Sequence, residues 1–64
     1  MNSNENLTAT QTRAVQVHAR WTLRTFGMPN NIQAEKIAAS LAASRGLDAG
    51  RVASAMNEVW AAAE

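Results

Sequence analysis

Residues 37–59, IAASLAASRGLDAGRVASAMNEV, decide how this chain folds. Ile37, Ala38 and Leu41 are spaced by three and four positions, so they share one face of a helix. Gly46 then stands where an ending helix needs a left-handed residue, a conformation that glycine adopts without strain. The stretch therefore predicts a helix, a short turn and a second helix.

The second helix of this stretch begins after Asp48, whose carboxylate can accept from the free N–H groups of the next turn. Its predicted buried face contains Val52, Ala55, Met56, Val59 and Ala63. The connection at 46–48 is short enough for an antiparallel hairpin or for a sharp corner between the helices, and the sequence leaves both open.

Four positions of this stretch carry a family resemblance. Ala42 is a small residue in the first helix, Gly46 follows four later, Leu47 is apolar, and Val52 comes six after the glycine. With this spacing the stretch resembles the helix-turn-helix family over about a third of the chain. The resemblance implies a corner at 46–48 and a second helix that faces nucleic acid.

Base reading favours side chains that donate and accept hydrogen bonds in the major groove. Among the positions that the resemblance would turn toward DNA, Ser54 and Asn57 have suitable side chains, and Arg51 lies close by. The neighbouring positions are mostly alanine, glycine or acid, so the predicted scaffold matches the family better than the reading surface does.

Capping signals place the remaining helices. Thr8 with Gln11, and Asn30 with Gln33, have the spacing of a capping box. Gly27 and the following proline end the first helix. We therefore predict an all-α, compact three-helix fold with helices at about 9–26, 31–45 and 49–63. One domain, 8–64, would follow a flexible tail, 1–7.

The first helix has two apolar stripes at about 100° per residue. The stripe that we expect to face the core contains Val15, Ala19, Leu23 and Phe26. The other contains Ala14, Val17 and Trp21. Trp21 can either cap the core of the monomer or contact another subunit, and Val17, Trp21 and Trp60 are our candidate protein-interface residues.

The same projection places Arg13, Arg20 and Arg24 on one narrow ridge of the first helix, which contains no acid. Arginine's forked guanidinium suits phosphate oxygens, so the ridge is a candidate nucleic-acid contact. An ordinary solvated helix face is the simpler interpretation of three charges on this helix.

Composition excludes several classes of function. The 64 residues contain no cysteine and one histidine, so a disulfide, a thiolate metal site and a cofactor are not expected. His18 has no carboxylate nearby in sequence to orient it, and we predict neither catalysis nor a small-molecule substrate. No apolar run reaches the ~20 residues of a membrane span, and the lack of cysteine fits a reducing cytoplasm.

Two functional hypotheses remain beside a third, a purely self-assembling helical protein whose dimer would be the functional unit. The first is a nucleic-acid-binding regulator, acting as a homodimer, that contacts its target through Arg13, Arg20, Arg24, Arg51, Ser54 and Asn57. The net charge of +1 supplies little general attraction to nucleic acid. The alternative is a protein-binding module, such as a small inhibitor, antitoxin or adaptor, that covers the surface of a partner protein.

Overall fold

Three helices, α1 (Ala9–Phe26), α2 (Asn31–Arg45) and α3 (Ala49–Ala63), make up the computed structural model, which describes residues 7–63. No strand occurs within that range. The predicted all-α, three-helix fold is confirmed, and the helix bounds agree with those expected from the capping signals. Residues 1–6 of the predicted tail lie outside the described residues, whereas Leu7 is half-buried and packs against the core.

Each helix begins at a side-chain cap. Thr8 Oγ1 accepts from the Gln11 N–H at 3.0 Å, and Gln11 Oε1 accepts from the Thr8 N–H at 2.9 Å. Asn30 and Gln33 make the same reciprocal pair at 2.8 and 3.2 Å. Asp48 Oδ2 accepts from the Arg51 N–H at 2.9 Å. These bonds satisfy donors that a helix start would otherwise leave free, which fixes where each helix begins.

Glycines end the first two helices. Gly46 has φ 69° in the left-handed region, and the N–H groups of Gly46 and Leu47 both donate to the Ala42 carbonyl. Leu47 is half-buried and packs against the core, as its position after the glycine predicts. Gly27 has φ 89° and donates to the Leu23 carbonyl at 3.0 Å.

The core is small and rich in alanine. Its largest fully buried side chains are Met56, Val15 and Val52. Ala19, Ala38, Ala42, Ala55 and Trp60 complete the buried apolar set. The alanines of α2 and α3 allow close approach of the two backbones. Thr22 is the one buried polar residue in the described range, and its Oγ1 donates to the His18 carbonyl at 3.0 Å, so the buried hydroxyl is satisfied.

Helix α3 holds the other two helices together. It packs against both α1 and α2, whereas α1 and α2 make few contacts with each other. The Trp60 indole Nε1–H donates to the Ala19 carbonyl at 3.1 Å, joining residues 41 positions apart in sequence. The helices therefore share α3 as a common packing partner.

Helices α2 and α3 lie side by side. Asn31 and Ala34, near the start of α2, line one cleft together with Asn57 and Ala61, near the end of α3. Two helices of this length diverging at about 90° would be separated there by ~20 Å or more. Proximity of the two ends far from the turn is that of an antiparallel hairpin, and the helix-turn-helix corner expected at 46–48 is not confirmed.

Two apolar residues differ from the prediction in how exposed they are. Phe26 shares the angular position of the core stripe, but its side chain is 75 % exposed because it lies past the end of the packed region of α1. Trp60, predicted as an interface residue, is only 5 % exposed because it fills the space between α3 and α1. The exposure of Phe26 follows from its position along the helix axis, which an angular projection does not contain.

Candidate functional site

An exposed apolar surface covers the second half of α1 and the connection to α2. Large apolar side chains that remain substantially exposed are Val17, Trp21, Phe26, Met28 and Ile32. Trp21 is 51 % exposed, so within the described residues it does not cap the monomer's own core. Large apolar side chains that remain exposed make this region a candidate contact surface.

The aromatic residues of this surface contact one another. The rings of His18 and Trp21 have centroids 5.5 Å apart and are tilted by 34°. The rings of Trp21 and Phe26 are 5.6 Å apart in an edge-to-face arrangement. Such pairs restrain the side chains. We call His18, Trp21 and Phe26 the aromatic cluster.

An open groove runs beside the aromatic cluster, between α1 and α2. It consists of two adjoining clefts that share Lys36 and Ile37. One is closed at its end by Met28 and Pro29, and the other extends to Leu41 and Ser44. We define the α1–α2 groove by His18, Thr22 and Phe26 on one wall and by Lys36, Ile37 and Leu41 on the other.

The groove exists because α1 and α2 both pack on α3 rather than on each other. Ser40 and Ser44 lie on the α2 wall and are too short to reach across to α1. Ser44 Oγ donates to the Leu41 carbonyl of its own helix at 3.0 Å. Ile37 and Leu41 are consequently only half-buried, although both pack against the core.

The three arginines of α1 lie on its solvent face. Arg13, Arg20 and Arg24 are all exposed. At ~100° per residue they fall within an arc of ~40°, on the side of α1 opposite Val15 and Ala19. The ridge is ~16 Å long at 1.5 Å per residue. Arg24 is three residues after Trp21, and residues at that spacing are neighbours on a helix surface.

The other predicted nucleic-acid residues lie on different parts of the surface. Arg51 and Ser54 border a depression between α1 and α3 together with Glu58. Asn57 lies in a cleft between α2 and α3, where Glu35 is also found. The structure therefore brings Arg51 and Ser54 together, but it does not join them with Asn57 or with the arginine ridge in one site.

The predicted protein-interface residues lie in two different environments. Val17 and Trp21 are exposed on α1, while Trp60 belongs to the core. Sequence reasoning missed the groove, the exposed Phe26 and the exposed Ile32. Ile32 lies ~100° round α2 from the buried face that Ala38 and Ala42 form. This angular position could have identified Ile32 as exposed.

Within residues 7–63, no three histidine, cysteine or acidic side chains are grouped so that they could hold a metal ion. None of the described helices combines the length and apolar character needed to cross a membrane. Comparison with known proteins finds no matching family model, no matching curated protein and no matching solved structure.

Proposed function

We propose that this chain is a non-enzymatic protein-binding module that covers a partner's surface with the aromatic cluster and the α1–α2 groove. The observation that carries the proposal is the exposure of Trp21 and Phe26 beside an open apolar groove. Tryptophan is enriched among the residues that supply most binding energy at protein interfaces. An inhibitor, antitoxin or adaptor would act through such a surface.

The geometry favours this function over base reading. A helix-turn-helix reader needs its second helix to project from the preceding one, and α3 instead lies along α2. Arg51 and Asn57 border different clefts, each shared with an acid. The apolar side chains of Trp21, Phe26 and Met28, in contrast, adjoin one another from α1 into the connecting loop.

The test is affinity purification from the source cells with Trp21→Ala combined with Phe26→Ser. Both side chains are exposed, so the double variant should fold with unchanged circular dichroism. We expect the parent chain to retain a partner protein in stoichiometric amount and the double variant to lose it. Arg51→Ala is the control, because Arg51 is exposed and does not line the groove. Equal retention by the parent and the double variant would count against this surface.

One observation favours a second candidate, a nucleic-acid-binding regulator that acts as a dimer. Arg13, Arg20 and Arg24 are exposed in one ridge, as phosphate contacts require. In fluorescence anisotropy with a DNA duplex, Arg20→Ala with Arg24→Ala should reduce the slope of log affinity against log salt by ~2. Arg51→Ala is the control, because it removes a single cation that lies outside the arginine ridge. Absence of any DNA or RNA retention at low salt eliminates this candidate.

A further inference from the structure

We infer that the segment of the partner that enters the α1–α2 groove is an acidic amphipathic helix. The inference rests on the proposed protein-binding function and assigns the chemical class of its partner. Shape, charge and the poor fit of a second copy each support it.

The shape of the groove suits a helix. Its α2 wall extends from Gln33 to Ser44, which is ~16 Å at 1.5 Å per residue, or three turns of a facing helix. The floor is apolar at Ile37 and Leu41, and Phe26 stands at one end. A helix that places apolar side chains every three or four residues would fill such a groove.

The charge around the groove has one sign. Lys36 and His18 are the titratable side chains that line it among the described residues. The described acids lie elsewhere: Glu35 lines the cleft between α2 and α3, Asp48 caps α3, and Glu58 lies between α1 and α3. Arg24 borders Trp21 on the outer side. Carboxylates on the flank of an incoming helix that faces α2 would therefore find Lys36, with no described acid lining the groove to repel them.

A second copy of this chain fits the groove less well. A symmetric dimer through the groove would pair two surfaces that each carry Lys36 and, among the described residues, no acid. None of the three described helices has an acidic face to offer, because α1 has no acid and Glu35 and Glu58 are the single acids of α2 and α3. The occupant with complementary charge is a different protein segment.

The test uses two labelled synthetic helical peptides of the same length and the same leucine stripe. One carries glutamates on its flanks, and the other carries lysines at the same positions. Fluorescence anisotropy measures their binding to the folded full chain at low and at moderate salt. We expect the acidic peptide to bind at least ~10-fold more tightly than the basic one, with the difference decreasing as salt rises.

Three variants localise the binding. Lys36→Glu should weaken the acidic peptide by at least ~5-fold, and Trp21→Ala by at least ~10-fold. Arg51→Glu makes the same change of charge outside the groove and should alter the affinity by less than ~2-fold. Each variant is first checked by circular dichroism, and all three side chains are exposed.

Other outcomes separate this inference from the proposed function. Equal binding of both peptides through Trp21 would leave the protein-binding function standing and overturn the acidic assignment. If neither peptide binds and sedimentation shows a dimer that Trp21→Ala dissociates, the occupant is a second copy. If neither binds but a DNA duplex does, the arginine ridge serves nucleic acid and both proposals are overturned. Failure of every probe also overturns the acidic helix as occupant.

Discussion

Replacing Trp60 with phenylalanine tests the joint between α3 and α1. Trp60 is 5 % exposed, and its indole N–H donates to the Ala19 carbonyl at 3.1 Å. Phenylalanine keeps an aromatic ring at the same position but removes the donor and the second ring. The substitution therefore weakens the link between two helices that are distant in sequence without removing the side chain altogether.

The expected loss has two parts. Losing one buried hydrogen bond costs about 1 kcal/mol. The smaller ring leaves a void of ~40 Å³, which at ~24 cal/mol per Å³ adds about 1 kcal/mol. The free energy of unfolding should fall by about 2 kcal/mol, a large share of the ~3–10 kcal/mol available to a chain of this size. The corresponding decrease in Tm is ~8–16 °C.

Urea and thermal unfolding followed by circular dichroism measure this loss. Trp21→Phe is the matched control, since Trp21 is half-exposed and its replacement should change the free energy of unfolding by less than ~0.5 kcal/mol. The two variants also leave one tryptophan each, so emission spectra report the buried and the exposed ring separately. Equal destabilisation by the two substitutions would refute the assignment of Trp60 as the link between α1 and α3.

Further stability measurements by urea unfolding test the caps, the turn and the extent of the core. Thr8→Ala and Asn30→Ala should each cost about 1 kcal/mol, because each removes an N-cap acceptor; no loss at either site would contradict the capping bonds. Gly46→Ala should cost ~1 kcal/mol or more, since a Cβ there meets no neighbour but the backbone has φ 69°; a stabilised variant would argue against the left-handed turn. Val15→Ala should cost about 2 kcal/mol and Phe26→Ala less than ~0.5 kcal/mol, although both lie on the same side of α1; the reverse order would place the core at the other end of the helix.

The helix bounds could be predicted from the sequence because each is set by local chemistry. The side chains of Thr8, Asn30 and Asp48 cap helices through residues three positions away, so the cause and the effect lie in the same short segment. Gly27 and Gly46 end helices for an equally local reason, the backbone conformation that each adopts.

The candidate site was harder to predict because it depends on how the helices are placed. Nothing in the sequence of α1 or α2 states that these helices pack on α3 rather than on each other, and the groove follows from that choice. Alanines lie on several sides of α2, so its sequence shows no clear apolar face that would predict which side of this helix is buried. The burial of Trp60 could have been predicted, since Val52, Met56 and Trp60 are spaced by four residues on one face of α3.

The exposure of Phe26 shows a different limit. An angular projection gives the direction of a side chain but not whether another helix extends that far along the axis. Phe26 points in the same direction as the core stripe and still faces solvent, where it contacts Trp21. The side chain that sequence reasoning assigned to stability is therefore a member of the candidate binding surface.

The position of α3 between its two partners has a consequence for the order of folding. The α2–α3 hairpin closes through a three-residue turn, while the Trp60–Ala19 bond spans 41 positions. Loop closure of the nearer pair costs less entropy, so α1 should dock after the hairpin has formed. Although α1 is synthesised before α2 and α3, it can pack only after α3 has formed, because α3 provides its contact surface. Substitutions at the contact between α1 and α3 should mainly increase the unfolding rate, whereas substitutions at Gly46 should reduce the folding rate.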